Sequence, residues 1–283
     1  MKSRNQLKVG LRALITALAV MGVAAVPAAA RGHGRAVTLY GSGSSAAYPY
    51  MQELFRGYSR LHRNIHFRYI QDGGNAGVQD VQAGRSQFAV QTRLPLPSDS
   101  GTTWDKLFLD GLCIAVNPAN SLSDVSLTQL KNIFLATDTN WNQVAGSNLS
   151  TTIDPQGRNS AAGTYTFFQQ AVLGNATQAS NVSQLTSDGL VAVAVRNDPN
   201  AIGYVGLSHS GAGSGVKKLT IGGVPCDTAH IRNESYPLFR YIWSVIPTAK
   251  PNLQVERFFD WVRTSRAAGT IIGRAGAVPA FNK

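Results

Sequence analysis

Three times in this chain a strand-like run gives way to a turn of small residues and then to an amphipathic helical pattern. The turns span residues 41–45, 72–77 and 158–164, named here the first, second and third turn. A helix that starts at such a turn presents unpaired backbone N–H groups and the positive end of its dipole, and Gly, Ser and Thr let a ligand approach closely. Each turn is therefore a candidate anion site, and three converging on one pocket could strip water from an oxyanion.

The rest of the pattern alternates strands with helices. Strands are predicted at residues 37–40, 66–70, 87–91, 112–116, 201–205, 219–221 and 238–246, and helices at 49–62, 77–83, 127–134, 164–173, 190–195 and 253–272. The first five elements form a βαβαβ unit, which implies a parallel sheet with right-handed crossovers. The sequence therefore predicts an α/β fold.

The first thirty residues have the pattern of a secretory signal peptide. Four basic residues precede an apolar run, residues 13–26, which ends in the small residues 27–30. A signal anchor is the alternative, but the run is shorter than the roughly 20 residues that span a bilayer. Because no cysteine lies near the cleavage point, a lipid anchor is not expected. We expect a chain that begins near Arg31 and is periplasmic or secreted.

The charge of the chain favours a small anionic ligand. The formal net charge is +11, and removal of the four basic residues of the first thirty leaves +7. The basic residues are scattered, without a basic helix interleaved with exposed aromatic residues, so nucleic-acid binding is not predicted. A positive field raises the encounter rate of a small anion.

The two cysteines, Cys113 and Cys226, leave two interpretations open. In an oxidising compartment they can form one disulfide. Both also lie in or beside strand-like runs, where two buried thiols are an ordinary finding. The sequence contains no separation between their Cα atoms and does not decide.

Several segments together resemble the PstS-like phosphate-binding periplasmic proteins of ABC transporters. They are residues 41–49, 73–81, 88–92, 117–141, 158–164, 201–205, 236–238, 258–262 and 275–279. Each segment alone is a weak signal, whereas their order and spacing along most of the chain are specific.

The resemblance implies a two-lobe type II periplasmic binding protein fold, with parallel-rich sheets flanked by helices and a ligand cleft between the lobes. Lobe I would comprise residues 35–110 plus 235–283, and lobe II residues 111–234. Two crossing strands would join them. The implied function is capture of inorganic phosphate or a related tetrahedral oxyanion by a monomer, for delivery to an ABC transporter permease.

The resemblance also implies a set of ligand-binding residues in the three turns and at the end of the third strand. They are Ser44, Ser45, Ala46, Gly74, Asn75, Thr92, Arg158, Ser160, Ala162, Gly163 and Thr164. Arg158 is the leading candidate, because a planar guanidinium can hold two oxyanion oxygens at once. A solvated or lobe-bridging arginine is its alternative, and a helix-capping serine is the alternative for Ser45.

Four positions depart from the family pattern, and one of them is Gly74 in the second turn, where family members have a serine. Family members usually place aspartates where this chain has Thr92 and Ser160, and a serine where it has Ala162. A carboxylate accepts the proton of hydrogen phosphate and repels a fully deprotonated anion such as sulfate, which a hydroxyl does not do. The departures predict weak preference for phosphate over sulfate, or a different oxyanion, and Arg93 beside Thr92 would further favour a dianion.

Two other classes of protein remain as alternatives. A hydrolase, including a phosphatase, is disfavoured because the first turn is not a G-x-S-x-G elbow and the five histidines show no metal-binding spacing. We predict no catalytic residues, metal or cofactor. A non-transport relative that serves as scaffold, sensor or adhesin would keep the fold with an altered or lost anion site.

Overall fold

The computed structural model describes residues 35–280, so the predicted signal peptide lies outside the described part. The strands are β1 (Val37–Gly43), β2 (Ile65–Ile70), β3 (Phe88–Gln91), β4 (Thr102–Val116), β5 (Asp124–Val125), β6 (Asp154–Arg158), β7 (Ser183–Leu185), β8 (Ala201–Gly206), β9 (Lys217–Lys218), β10 (Thr220–Ile221), β11 (Phe239–Pro247) and β12 (Val278–Pro279). The α-helices are α1 (Tyr48–Leu61), α2 (Gly74–Gln82), α3 (Leu127–Phe134), α4 (Gly163–Ala171), α5 (Asp188–Asn197), α6 (Thr228–Arg232), α7 (Leu253–Thr264) and α8 (Arg266–Arg274).

The main sheet has the strand order β2-β1-β3-β11-β4-β8-β6-β7, with β9 and β12 also paired to β4. β1 is parallel to β2 and β3, as the βαβαβ pattern predicts, and β6 is parallel to β7 and β8. β11 is antiparallel to β3 and β4, and β4 is antiparallel to β8. β4 and β11 therefore connect two parallel groups of strands.

Two hydrophobic cores lie along this sheet. The first core packs α1, α7 and α8 on β1 and β3, with Tyr50, Phe88 and Phe258 among its buried aromatic residues. The second core surrounds β4 and β8, with Trp141 and Tyr204 among its members. β4 contributes to both, because its first half enters the first core and its second half the second. The predicted lobe limits at 110/111 and 234/235 stay a prediction.

Local sequence signals explain where several helices begin. Ser126 starts α3 with a capping box, since its hydroxyl accepts from the Gln129 amide (3.1 Å) while Gln129 Oε1 accepts from the Ser126 amide (2.9 Å). The bounds of α3 are those predicted from the sequence. α1 carries Pro49 in its first turn, where the missing N–H has no helical partner in any case. No helix among residues 35–280 is long and apolar enough to cross a membrane.

Several predicted elements were wrong in extent, and three of them show why. The single helix predicted over 253–272 is two helices, because Ser265 adopts an extended backbone and its side chain accepts from the Ala267 amide, which starts α8. The strand predicted at 219–221 is shorter, since β10 covers only Thr220–Ile221, and β9 at Lys217–Lys218 lies before the predicted range. The strand predicted at 112–116 is only the end of the 15-residue β4.

The structure answers the question that the cysteines left open, since Cys113 and Cys226 form a disulfide with a Cα–Cα distance of 5.6 Å. The bond ties β4 to the segment before α6 across a sequence separation of 113 residues. A cross-link over so long a loop restricts the unfolded chain strongly.

Replacing both cysteines with alanine is expected to lower the free energy of unfolding by about 2–5 kcal/mol, because the loop-closure constraint is lost. Urea unfolding monitored by circular dichroism measures the change. A reductant should lower the midpoint of the wild-type protein and leave the double variant unchanged. Equal midpoints for oxidised wild type and double variant would contradict a stabilising role for the bond.

Candidate functional site

The three turns each lie at the carboxyl end of a parallel strand. The first follows β1 into α1, the second follows β2 into α2, and the third follows β6 into α4. The second and third turns touch, because the Asn75 amide donates to the Ala161 carbonyl (2.9 Å). The approach is close enough that a Cβ on Gly73 would lie 2.4 Å from the same carbonyl oxygen. The structure therefore brings the second and third turns together.

Backbone donors at these helix starts have no partner in the described part of the chain. The amides of Ser45, Ala46, Gly74, Gly163 and Thr164 donate no hydrogen bond to any residue within 35–280. All five residues belong to the predicted ligand set. Since α2 and α4 are both nine residues long, their dipoles add a positive potential at these amides.

Gln91, at the end of β3, fills the space between the second and third turns. A Cβ on Gly74 would lie 2.2 Å from Gln91 Oε1, and one on Gly163 would lie 1.6 Å from it. Gln91 Oε1 accepts from the Thr92 amide (2.7 Å). Gly74, where the family has a serine, and Gly163 therefore both make room for Gln91 by lacking a side chain.

Thr92 has a hydroxyl group without a partner. Its side chain is fully buried, and its Oγ1 makes no hydrogen bond to any residue in 35–280. A Cβ on Gly163 would lie only 2.9 Å from this oxygen, so the hydroxyl lies beside the start of α4. Leaving a buried hydroxyl unpaired typically costs about 1–3 kcal/mol.

Arg158 is buried and held by its own protein partners. Its guanidinium forms an ion pair with Asp188, and it also donates from Nε to the Leu185 carbonyl (3.1 Å) and from Nη2 to the Thr186 carbonyl (2.9 Å). Burial lowers the pKa of Arg158 to about 10, so the group remains a cation at neutral pH. Three of its five N–H donors are thus in use.

Asp188 is a site residue that the sequence analysis missed. Its Oδ2 accepts from the Ser45 hydroxyl (3.2 Å) as well as from Arg158, and its Oδ1 accepts from the Gly206 amide (3.0 Å). Two of the predicted anion ligands, Ser45 and Arg158, are therefore bound to one internal carboxylate. The only local signal is the sequence Ser187-Asp188 at the start of α5, where Ser187 caps the helix.

A second buried ion pair, also missed, joins Asp110 on β4 to Arg240 on β11. Arg240 donates to Asp110 Oδ2 from Nε (3.0 Å) and Nη2 (2.8 Å), and from Nη1 to Thr164 Oγ1 (3.2 Å). Asp110 Oδ1 accepts from the Tyr50 hydroxyl (3.2 Å). The pair therefore links the crossing strands to the start of α4.

The Asn75 side chain is used within the protein. Its Oδ1 accepts from Gln91 Nε2 (3.1 Å) and Arg93 Nε (2.6 Å), and its Nδ2 donates to the Ser160 carbonyl (2.9 Å) and Thr166 Oγ1 (2.9 Å). Arg93 is paired in turn with Asp99 (2.7 Å). Asn75 therefore connects the second turn to the third.

The remaining predicted residues divide between buried and exposed positions. Ser160 is exposed, in contrast to the buried Thr92. Ser44 is buried, and its hydroxyl accepts from the Ala47 amide (3.2 Å) at the start of α1. Ala162 is buried at the start of α4, where its methyl group cannot cap the helix.

The buried charges near the turns balance one another. The cations of Arg158 and Arg240 are matched by Asp188 and Asp110. Burial lowers the pKa of the neighbouring His209 to about 4, so its imidazole is neutral at physiological pH. An anion in this region would therefore depend on the unpaired amides, the helix dipoles and hydroxyl donors rather than on excess positive charge.

Comparison with known proteins gives a consistent result. A family profile described as the PBP superfamily domain matches residues 28–266. The phosphate-binding protein PstS of Bacillus subtilis is 25% identical over 242 residues, which cover 84% of this chain and 79% of that protein. The phosphate-binding protein PstS of Staphylococcus epidermidis is 27% identical over 240 residues, which cover 78% of this chain and 73% of that protein.

Solved structures share the fold. A Clostridium perfringens protein whose structure contains bound phosphate matches with a TM-score of 0.80 and 22% identity, covering 86% of this chain and all of that one (100%). An ABC-type phosphate transport receptor from Vibrio cholerae matches with a TM-score of 0.70 and 22% identity, covering 85% of this chain and 99% of that one. These likenesses confirm the fold class predicted from the sequence.

The second turn contains a carboxyl group whose protonation affects stability. Asp72 accepts from the Gly43 amide (2.9 Å), and burial, together with the neighbouring Asp80, raises the pKa of Asp72 to about 6. Since the pKa of an unfolded aspartate is near 3.9, the unfolded state ionises first, and the folded state loses stability as pH rises from about 4 to 6.

Asp72→Asn keeps the acceptor oxygen and removes the charge. It is expected to match wild type near pH 4 and to be more stable above pH 6, by no more than about 1–2 kcal/mol for a half-buried carboxylate. Thermal unfolding at several pH values between 4 and 8 measures the difference. A stability difference that is the same at every pH would show that Asp72 does not titrate in this way.

Proposed function

The chain belongs to the PBP superfamily, and from that premise we propose that it captures phosphate or a related tetrahedral oxyanion for delivery to an ABC transporter. The observation that carries the proposal is the group of unpaired donors at the helix starts. Five backbone amides and the Thr92 hydroxyl have no partner among residues 35–280. An oxyanion is a ligand that accepts from many such donors at once.

Some groups of the site are proposed to contact the oxyanion, and Asp188 is proposed to act on it through Arg158. The amides of Gly163 and Thr164 and the Thr92 hydroxyl are proposed to contact the oxyanion. Arg158 has two N–H donors left after its bonds to Leu185, Thr186 and Asp188, and these are proposed to face the ligand. Asp188 would then hold the guanidinium in place, which limits the reorganisation that binding requires.

The location of the protein follows from the same proposal. Residues 1–30 are proposed to act as a signal peptide that directs the chain to the periplasm or the exterior, where a binding protein meets its ligand. The relatives named above are binding proteins, and one is described as a transport receptor. Function as a monomer stays a prediction.

Weak discrimination between phosphate and sulfate is proposed as a property of this site. Discrimination requires a group that only accepts, because such a group binds the proton of hydrogen phosphate and repels sulfate. The Thr92 hydroxyl can also donate, so it does not repel sulfate. The oxygens of the two nearby carboxylates already accept hydrogen bonds. Asp188 accepts from Ser45, Arg158 and Gly206. Asp110 accepts from Tyr50, Leu207 and Arg240. These carboxylates therefore have little capacity left to select a protonated anion.

Thr92→Val removes the unpaired hydroxyl at nearly constant volume. Phosphate affinity is expected to fall about 10- to 100-fold, as for loss of a hydrogen bond to a charged group, while the unliganded protein is unfolded no more easily, since the buried hydroxyl has no partner to lose. Isothermal titration with phosphate and urea unfolding measure the two effects.

Thr38→Val is the matched control, because Thr38 lies toward the opposite end of β1 from the first turn. It should leave phosphate affinity unchanged. Unaltered phosphate binding by Thr92→Val would remove Thr92 from the ligand set. Absence of binding by the wild-type protein to phosphate, sulfate and arsenate alike would refute the proposed function.

Thr92→Asp tests the origin of selectivity. It restores the residue type that the family usually has at this position, and it should raise the ratio of phosphate to sulfate affinity about 10-fold or more, because a carboxylate repels sulfate and accepts the phosphate proton. Competition titrations of both anions measure the ratio. If wild-type protein already prefers phosphate a thousand-fold, the selectivity proposal is wrong.

A further inference from the structure

Beside the candidate site lies a cavity with aromatic walls and a volume of about 240 Å³. Its aromatic lining consists of Phe167, Phe239, Tyr241 and Trp243. A water molecule occupies roughly 30 Å³, so the cavity has room for a small organic group. Its lining is mostly apolar and offers a bare tetrahedral anion few hydrogen-bond donors.

The cavity shares one residue with the proposed oxyanion donors. Thr92, whose buried hydroxyl lacks a partner, lines it, and so does Arg240. Arg240 Nη1 also lies 3.2 Å from Thr164 Oγ1, at the start of α4. Phe167 projects from α4 one turn further along. The cavity therefore lies next to the start of α4, where the amides of Gly163 and Thr164 are.

The charges around the cavity favour an anion over a neutral ligand. Arg93 and Arg240 line it while paired with Asp99 and Asp110. Lys106 lines it as well, is exposed, and forms no ion pair within the described residues. Its Nζ lies 3.9 Å from the centroid of the Tyr241 ring. The Lys106 ammonium group, which forms no ion pair within the described residues, therefore lies against the aromatic lining.

We propose that the cavity receives the organic group of a phosphoryl ligand, a phosphonate or phosphate monoester with a small aromatic substituent. The phosphoryl oxygens bind the Thr92 hydroxyl and the amides of Gly163 and Thr164, and the ring packs against Phe167 and Trp243. Aromatic rings pack favourably on one another, and a few polar groups at one end fix the orientation. This inference rests on the proposed oxyanion function.

Phenylphosphonate, methylphosphonate and inorganic phosphate are the probes, each titrated calorimetrically into the wild-type protein. Phenylphosphonate is expected to bind about 10- to 100-fold more tightly than methylphosphonate, the gain for burying a ring of this size. The comparison needs no variant, because the two phosphonates share the same charged group.

Phe167→Ala locates the effect. It should bring the affinity for phenylphosphonate to within about 3-fold of that for methylphosphonate and leave inorganic phosphate within about 2-fold of wild type. Tyr165→Ala, on the same helix but outside the cavity lining, is the control and should preserve the phenyl preference. Trp243→Leu serves as a second wall variant if Phe167→Ala does not fold.

The outcomes separate this inference from the function on which it rests. If phosphate binds but phenylphosphonate has no advantage over methylphosphonate, the cavity does not hold the organic group, and the oxyanion proposal stands. If wall variants weaken all three probes equally, the aromatic residues act on folding alone and the inference is overturned. If none of the three probes binds, the oxyanion function itself fails.

Discussion

The contact between Asp110 and Arg240 is the interaction on which the rest of the site depends. The two residues are register partners across the antiparallel pair formed by β4 and β11, and both are buried. Removing two charges from water is expensive, and such a pair is tolerated only when its remaining donors and acceptors are satisfied. Tyr50 from α1 and Thr164 from α4 supply those bonds, so the pair fixes both helices against the crossing strands.

A second pair, Arg158 and Asp188, acts in the same way on the other side of the site. Asp188 at the start of α5 holds the guanidinium at the end of β6, and it also accepts from Ser45 beside α1. Buried ion pairs contribute little net stability, but breaking one leaves an uncompensated charge and costs several kcal/mol. Their value here lies in geometry, since they hold the starts of three helices, α1, α4 and α5, in fixed positions without adding net charge.

The sequence was a good guide to local structure and a poor guide to side-chain partners. The small-residue turns and the bounds of α3 were predicted from short-range patterns, and the structure contains them. Ser160 is an example of where the sequence was a poor guide. The family resemblance predicted that Ser160 and Thr92 have similar roles in binding the anion, but Ser160 is exposed and Thr92 is buried. Asp110 carries no local signal of its role, and Asp188 has only the helix-capping Ser187 before it.

The alternation of strands and helices, the three turns and the basic character of the chain can all be predicted from local sequence patterns, because helix starts, apolar periodicity and charge are properties of neighbouring residues. The folded structure is needed to see which carboxylate pairs with which arginine, that Gln91 occupies the space left by Gly74 and Gly163, and that Cys113 bonds to Cys226. These pairings join residues far apart in the chain, so they depend on how the sheet closes and not on any local pattern.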